Sequence, residues 1–316
     1  MNKLYIRVPP GQPPPTRAQK IKRYLIGSVL SPAYWLLAHR FDMPGLAFHR
    51  MCAQLGLRLL RPKAPLSRGW AYEFIFRPMD STRYFEFDAA WQFLPAAPAQ
   101  HYLDVSSPRQ FPLLALIKRR ARQAALINPD ANDLAITVKL LKAAGLEPRC
   151  SWHNVLMNEA PFQANTFDLI TSLSVIEHIP DDTAAVRKMW DLLTPGGRLL
   201  ISMPCLAEAA DQFINHNEYG LYQADDEGFV FWQRFYDEAA LADRIFSVLG
   251  SPTRTVIYGE KVAGAFQRNA AAKRAGYFTA YPFWREPYMM GQEYRYFDRI
   301  RDLPGEGVIA MEFIKA

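Results

Sequence analysis

Two short apolar runs lie on either side of a segment with helical spacing in the middle of the chain. The first run starts at Phe167 and breaks at small hydroxyl residues before Glu177 and His178. The second run follows a Pro-Gly-Gly turn at residues 195–197, and the segment from Asp181 to Leu193 places apolar residues at helical spacing. A strand, a helix and a strand at this separation predict a right-handed parallel crossover.

The same alternation extends on both sides of this unit. Helices are predicted at residues 111–123, 133–144 and 237–249. Besides the run from Phe167, strands are predicted at residues 101–105, 124–127, 149–153, 198–203, 254–258 and 307–314. Strands that alternate with helices indicate an α/β fold with a doubly wound, seven-stranded, mostly parallel sheet.

The first 95 residues have a different pattern and are predicted to form a mainly helical lobe before a main domain at 96–316. Five prolines within residues 1–19 indicate an extended arm. Within residues 20–41 the apolar run is about 15 residues long and is interrupted by Pro32, so it falls short of the roughly 20 residues that a membrane-spanning helix needs. It fits an interfacial amphipathic helix pair, and equally a lobe that packs its apolar face on the main domain.

The rest of the lobe is less regular. Moderate helical character continues over residues 46–60, a loop is predicted at 61–70, and a short helix at 88–94. Prolines between residues 95 and 98 mark the predicted boundary of the lobe.

Charge is distributed unevenly between these two parts. Residues 1–72 hold twelve Lys or Arg and one acidic residue, Asp42, whereas the remainder holds 25 basic and 30 acidic residues. The lobe is therefore expected to face something anionic, and a membrane surface contacted through residues 20–60 is one candidate partner. Nucleic acid is disfavoured, because the basic excess accompanies apolar helices and no RNA-binding motif is present.

Composition points to a cytoplasmic protein, one that is peripheral at the membrane if the lobe binds lipid. Half of the residues are hydrophobic, so a large core is available. The three cysteines, Cys52, Cys150 and Cys205, show neither CxxC nor metal-ligand spacing, and no metal site is predicted. No signal peptide is expected, since Met1 leads into a Pro-rich polar segment. Homo-oligomerisation is left open.

The ordered motifs resemble those of class I S-adenosylmethionine-dependent methyltransferases. The resemblance covers roughly residues 100–204 and rests on three segments in the family's order and spacing: Phe167-Asp168-Leu169-Ile170, Val175-Ile176-Glu177-His178-Ile179 and Leu193-Thr194-Pro195-Gly196-Gly197. It implies the Rossmann-like methyltransferase fold, S-adenosylmethionine as cofactor and a small or medium-sized acceptor. O-methylation is the default expectation, with N- and S-methylation open.

The family's first motif is altered in this chain. Asp104 stands at the expected acidic position, but Val105, Ser106 and Ser107 follow where the family has a glycine-rich turn, and Pro108 comes next. Small serines leave room for the cofactor, so either the loop binds through a different turn or cofactor affinity has been lost. The second possibility defines an alternative function, a non-catalytic binding or scaffold protein on a methyltransferase fold.

Further cofactor-binding positions follow from the same resemblance. The carboxylate that usually holds the ribose hydroxyls falls near Asn128, with Asp130 two residues later, and Asn154 is the candidate for the adenine amino group. Each of the three could instead be a cap or turn residue. Ser172 and Leu173 lie at the carboxyl end of the central strand, where ligands bind in open α/β sheets.

Glu177 and His178 are the candidate catalytic residues, because they follow at the mouth of the same site. A neutral histidine is a suitable general base for a hydroxyl group. The alternative is that the pair caps or orients the local helix.

Two long insertions are rich in aromatic residues and are candidates for substrate selection. They cover residues 205–236 and 261–306 and hold eight and ten aromatics; the second also carries Arg285, Arg295, Arg299 and Arg301. Such insertions form lids, binding loops or interfaces. Their aromatics and arginines suit a planar or anionic substrate, but equally the core of a small subdomain or a dimer contact.

Overall fold

The computed structural model describes residues 2–8, 14–60, 68–217, 220–276 and 281–316. Several sequence predictions fall outside these residues. They are most of the proline cluster of the arm, most of the predicted loop at 61–70, and the aromatic residues Tyr219 and Tyr277 of the two insertions.

A large sheet carries all seven predicted strands. Its strands are β2 (Ala99–Val105), β3 (Ala121–Ile127), β4 (Cys150–His153), β5 (Phe167–Leu173), β6 (Leu193–Cys205), β9 (Arg254–Glu260), β10 (Tyr294–Phe297) and β11 (Gly307–Ile314). The strand order is β10-β9-β11-β6-β5-β2-β3-β4. The five adjacent strands β6, β5, β2, β3 and β4 are mutually parallel. β11 is antiparallel to both of its neighbours, β6 and β9. The predicted α/β fold with a mostly parallel sheet is confirmed, and the eighth strand, β10, was not predicted.

Helices cover both faces of this sheet. In the order of the chain they are α1 (Arg17–Ala38), α2 (Leu46–Leu59), α3 (Arg68–Phe76), α4 (Arg83–Phe93), α5 (Gln110–Ile117), α6 (Ala131–Ala143), α7 (Asp182–Leu192), α8 (Glu238–Leu241), α9 (Ser247–Leu249), α10 (Ala265–Gly276) and α11 (Glu286–Glu293). A π-helical turn, Ala242–Phe246, joins α8 to α9, so the helix predicted at 237–249 is present with a bulge.

The helix predicted at 111–123 ends early, at Ile117. Arg119 adopts a positive φ of 57°, which reverses the chain, and β3 begins at Ala121 in register with Ala99 of β2. The guanidinium of Arg149 donates hydrogen bonds to the carbonyls of Leu116 and Ala121 on either side of this turn. The predicted end of the helix at residue 123 was wrong because Arg149 and β2, which hold this turn, are distant from it in sequence.

A second sheet of three strands was not predicted. Its strands are β1 (Asn2–Ile6), β7 (Ala210–Ile214) and β8 (Val230–Phe235), in the order β1-β7-β8. Residues 2–6, expected to belong to an extended arm, instead pair in parallel with β7, and Tyr5 stacks on Phe213 with ring centroids 5.2 Å apart. A strand whose partner lies about two hundred residues away leaves no local periodic signal.

Pro32 does not divide the apolar segment into two helices, because α1 runs through it as one helix of 22 residues. A proline removes a single backbone donor, and α1 is held along its length by α3, α11 and residues 283–285. Helices α1 and α3 approach each other closely at Gly27, where an added Cβ would lie 2.2 Å from the Tyr72 hydroxyl of α3. Among the described residues, no helix combines the length and hydropathy that a membrane crossing requires.

The N-terminal helices share a hydrophobic core with one face of the large sheet. Phe48 of α2 and Phe87 of α4 pack on Phe111 of α5, and Phe85 stacks on Tyr258 of β9. This packing fixes the start of α4 beside the carboxyl ends of β5 and β6, which is where its polar residues contribute to the site described next.

Candidate active site

The carboxyl ends of β2, β3 and β5 border a cavity of about 420 Å³, called here the first cavity. Small-molecule sites commonly have volumes in this range, and ligands of open α/β sheets bind where the strand order reverses, as it does between β2 and β5. Residues predicted from the sequence line it, namely Val105, Ser106, Asn128, Asp130 and His178.

Ser106 takes the backbone conformation for which the family uses glycine. Its φ is +51°, and its hydroxyl turns back to donate a hydrogen bond to the Ile127 carbonyl, 3.0 Å away. The side chain therefore leaves the space in front of the loop open. The loop from Ser106 to Arg109 is short, and α5 begins directly after it at Gln110. Gln110 also lines the first cavity.

Asp104 lies behind the first cavity rather than on its wall. It is 2% exposed and accepts hydrogen bonds from the hydroxyls of Tyr102 and Thr171, both at 2.9 Å. Burial raises the pKa of Asp104 to about 7, although neighbouring hydroxyl groups lower it. Ser107 accepts a hydrogen bond from the Leu173 amide at 3.1 Å and so ties the loop to β5.

Ser107, Ser172, Leu173 and Asn154 likewise do not line the first cavity, although all were predicted near the cofactor. Asn154 donates instead to the carbonyls of Asn128 and Pro129, at 2.8 and 2.9 Å. Ser172 is fully buried within β5.

Local hydrogen bonds occupy most of the polar atoms that follow β3. The Asn128 oxygen accepts from the Asp130 amide and its NH₂ donates to Asp133, both at 2.9 Å. Asp130 caps α6 through Oδ1, which accepts from the amides of Asn132 and Asp133. Its Oδ2 has no hydrogen-bond partner within the described ranges, and among the candidates after β3 it is therefore the carboxylate oxygen best placed to accept from a ligand.

A larger cavity of about 520 Å³, called here the second cavity, adjoins the first. The two have Arg83, Ser174 and His178 in common, so these residues stand at their junction. The walls of the second cavity come from distant parts of the chain: Ile6 and Val8 near β1, Ile214 and Trp232 of the β7–β8 hairpin, and Lys273 of α10. A molecule in the first cavity could thus react with a molecule in the second.

The protonation state of His178 follows from its contacts. Nδ1 lies 2.6 Å from the carbonyl oxygen of Trp232. A carbonyl only accepts, so Nδ1 carries the proton and the lone pair is on Nε2. Burial lowers the pKa of His178 to about 4, and the imidazole is neutral at physiological pH.

Glu177 is a buried carboxyl group on the wall of the second cavity. Its Oε1 lies 3.9 Å from His178 Nε2, and its Oε2 has no hydrogen-bond partner among the residues that the structure describes. The pKa of Glu177 is raised to about 8, mainly by burial and also by the nearby Glu86 carboxylate, while Arg83 acts in the opposite direction. At neutral pH the protonated form of Glu177 therefore predominates.

Arg83 and Glu86 of α4 belong to the site, although no sequence signal indicated them. Arg83 Nη1 lies 3.0 Å from Glu86 Oε2. Glu86 is 1% exposed and also accepts hydrogen bonds from three hydroxyl groups, those of Thr82, Ser174 and Ser202. Glu86 is thus paired with Arg83 and hydrogen-bonded by three hydroxyl groups, and this ion pair places the Arg83 guanidinium at the junction of the two cavities.

Four arginines of the second insertion, Arg285, Arg295, Arg299 and Arg301, do not line either cavity, whereas Arg274 of the same insertion lines the second cavity. Arg285 lies over the Tyr34 ring, Arg295 over the Phe297 ring, and Arg299 pairs with Asp302. Of the insertion aromatics, Tyr236 is buried, whereas Trp232 and Phe235 line the second cavity and Trp232 packs edge-on against His178.

Comparisons with known proteins agree with this geometry. Residues 103–201 match the family model described as a methyltransferase domain. Methyltransferase str2 of Strobilurus tenacellus is 39% identical over 90 residues, which are 28% of this chain and 33% of the relative. The ubiquinone biosynthesis O-methyltransferase of Alkalilimnicola ehrlichii is 26% identical over 140 residues, 44% of this chain and 56% of the relative. The chain thus spans between a third and about half of the length of these relatives.

The fold has a counterpart among solved structures. The crystal structure of MccD protein superposes with a TM-score of 0.50 at 13% identity, covering 73% of this chain and 97% of the other. The residues that match the methyltransferase-domain family include the three sequence segments described above. The predicted resemblance to methyltransferases is thereby confirmed.

Proposed function

We propose that this chain, which carries a class I S-adenosylmethionine-dependent methyltransferase domain, transfers a methyl group to a hydroxyl of a small or medium-sized acceptor. The observation that carries the proposal is the pair of adjoining cavities with a neutral histidine at their junction. Relatives named as methyltransferases, one of them an O-methyltransferase, support the same activity.

The residues of the first cavity fit S-adenosylmethionine. Asp130 Oδ2 can accept from the ribose hydroxyls, and Arg83 can pair with the carboxylate of the methionine moiety. The positive φ of Ser106 gives the loop its glycine-like turn. When bound, the cofactor supplies a methyl group on a positively charged sulfonium, which is already reactive toward a nucleophile.

His178 is proposed as the general base. Its Nδ1 proton is held by the Trp232 carbonyl, so Nε2 is oriented to take the proton that an acceptor hydroxyl loses. Its pKa of about 4 keeps the imidazole unprotonated throughout the neutral range. Positioning of the two reactants in adjoining cavities supplies the remaining acceleration.

The alternative of a non-catalytic scaffold rested on the missing glycines. Ser106 now offers a physical reason why the loop can do without them, which favours retained binding. Mass spectrometry of the purified protein distinguishes the two proposals. Co-purified S-adenosylmethionine or S-adenosylhomocysteine supports the enzyme, and a protein that carries neither and gains neither on incubation supports the scaffold.

We further propose that α1 contacts an anionic membrane surface. Its apolar side chains Ile21, Leu25, Val29 and Leu36 point outward on one stripe and are 49%, 64%, 74% and 63% exposed, whereas Arg23, Gly27, Ser31 and Ala38 face the protein. Exposed Arg17, Lys20 and Lys22 flank the stripe, and no acidic residue precedes Asp42. Apolar residues flanked by cations match the chemistry of an acidic lipid surface.

Sedimentation with vesicles tests this contact. Binding to phosphatidylcholine vesicles that contain phosphatidylglycerol should fall roughly tenfold or more in a Leu25→Ser/Val29→Ser double variant, since two apolar side chains no longer enter the lipid. Val262→Ser is the matched control, because Val262 is 68% exposed but lies far along the chain from α1. Binding that ignores both lipid charge and the double variant would remove the proposal.

A further inference from the structure

A surface cavity of about 520 Å³, called here the third cavity, lies at the opposite edge of the large sheet from the candidate active site. Its walls come from Pro98 just before β2, from Arg119, Ala121 and Arg122 around the start of β3, and from Arg149 just before β4. These are the amino ends of three neighbouring parallel strands, whereas the first cavity borders carboxyl ends of the sheet. Among the described residues, the third cavity shares none with the other two.

Backbone carbonyls hold Arg149 in a fixed position at the third cavity. Its Nε donates to the Arg122 carbonyl at 2.7 Å, and its two terminal nitrogens donate to the carbonyls of Leu116 and Ala121 at 3.2 and 2.6 Å. A guanidinium has five N–H groups, so one on each terminal nitrogen has no partner within the described ranges. Arg149 therefore offers donors whose geometry is set before a ligand arrives.

The turn between α5 and β3 brings two further guanidinium groups to the same cavity. Arg119 and Arg122 are exposed, and neither forms an ion pair with a carboxylate of the described chain. Arg120, between them, is engaged elsewhere, because its guanidinium lies 5.9 Å from the centre of the Trp91 ring and donates to the Pro95 carbonyl. Three cationic side chains thus line the third cavity.

The nearest acidic residues do not compensate this charge. No Asp or Glu is among the described residues of the cavity wall. Asp168 accepts from the backbone amides of Gln100 and His101 at 2.7 and 3.0 Å, one through each carboxylate oxygen. Glu147, on the turn before β4, pairs with Lys142 at 3.2 Å. The third cavity therefore concentrates positive charge without a matching acid from its own wall.

These donors suit a phosphate group. A phosphate carries up to about two negative charges and three acceptor oxygens, and arginine binds it through two N–H groups at once. A carboxylate has two oxygens and one charge, so it engages only one of the three guanidinium groups in this way. The cavity is larger than a phosphate alone and leaves room for a phosphate ester or a second phosphate.

We propose that the third cavity binds a phosphate-bearing anion, at a site separate from the candidate active site and independent of the proposed methyl transfer. Arg149 supplies fixed donors, and Arg119 and Arg122 supply charge from either end of the turn. A soluble phosphate compound and the phosphate of a lipid headgroup share this chemistry.

Titration calorimetry of inorganic pyrophosphate into the full chain tests the site. The test variant is Arg119→Asn/Arg122→Gln, because asparagine tolerates the positive φ of residue 119 and the Arg122 carbonyl that holds Arg149 remains. It should bind pyrophosphate about tenfold or more weakly than the native chain, the loss expected when hydrogen bonds to a charged group are removed. An unfolding temperature equal to that of the native chain shows that the variant folds.

Arg187→Gln/Arg295→Gln is the matched control, because both side chains are exposed and line none of the three cavities. It removes the same charge, yet its affinity should stay within about twofold of the native value, since isolated surface charges contribute little. A second measurement needs no variant. Malonate, which carries two carboxylates, should bind the native chain about tenfold or more weakly than pyrophosphate.

Sedimentation with phosphatidylcholine vesicles that contain phosphatidic acid identifies the source of the phosphate. With pyrophosphate binding reduced, a parallel loss of vesicle binding in the test variant supports a lipid headgroup, and unchanged vesicle binding supports a soluble compound. A native chain that does not bind pyrophosphate, equal weakening in the test and control variants, or malonate that binds as tightly as pyrophosphate each overturns the proposal.

Discussion

At the scale of single residues, burial explains both the site and its response to pH. Asp104 and Glu177 are buried acids with raised pKa values, whereas His178 and His49 are buried bases whose pKa values fall to about 4. Between about pH 4 and pH 7 the neutral form of each of these four groups therefore predominates.

Asp104 gives a pH prediction for stability. Its folded pKa of about 7 exceeds the usual value of about 3.9 in an unfolded chain. The folded state therefore binds the proton more tightly, and its contribution to stability is full below about pH 4 and is lost as the pH rises toward 7. Denaturant unfolding of Asp104→Asn should show a weaker decline over this window than the native chain. Parallel curves for the two proteins would contradict the pKa assignment.

The sequence predicted where the polar residues of the site occur but not where their side chains point. Motif order placed Asp104, Asn128 and Asp130 at or just after strand ends and His178 at the mouth of the site, and Asn128, Asp130 and His178 line the first cavity. It did not indicate that Asn128 and Asn154 bond to their own loops, because such bonds depend on backbone geometry within a few residues. It also gave no sign of Arg83, which reaches β5 only through tertiary packing.

At the scale of elements, local periodicity predicted seven strands of the large sheet but not its eighth strand or the strands of the second sheet. The seven predicted strands alternate with helices, and each carries its signal within a few residues. β1, β10 and the β7–β8 hairpin form only through partners far along the chain. Of these additions, β1 and the β7–β8 hairpin supply walls of the second cavity, so that cavity was the less predictable half of the site.

The element α4 yields a test of cofactor recognition. If Arg83 pairs with the methionine carboxylate, Arg83→Met should weaken S-adenosylhomocysteine binding by about 10-fold or more, as expected for a lost hydrogen bond to a charged group. Binding of 5′-methylthioadenosine, which lacks the amino-acid part, should change little. Titration calorimetry of both ligands separates this role from a structural one. Equal weakening of both ligands would assign Arg83 to the scaffold of α4 instead.

At the scale of the whole molecule, the N-terminal helices and the sheet act as one unit. Phe48, Phe85 and Phe87 share a core with Phe111 and Tyr258, although the sequence suggested a boundary near residue 95. Of the three junction residues, Arg83 comes from one side of that boundary, and Ser174 and His178 come from the other.

A truncated chain tests this dependence. Residues 96–316 alone expose the core face that α2 and α4 cover, and we expect them to lose cooperative thermal unfolding and cofactor binding together. Circular dichroism melting of the fragment beside the full chain makes the comparison. A fragment that melts cooperatively and binds S-adenosylhomocysteine would show instead that the N-terminal helices are an independent lobe.

Cofactor binding in the first cavity is measured by titration calorimetry of S-adenosylhomocysteine into the full chain. We expect saturable binding at one site, with affinity on the order of micromolar. Asp130→Asn should weaken it about tenfold or more through loss of the carboxylate, without lowering the unfolding temperature, because asparagine also caps helices. A native chain that shows no binding at millimolar ligand would contradict this expectation.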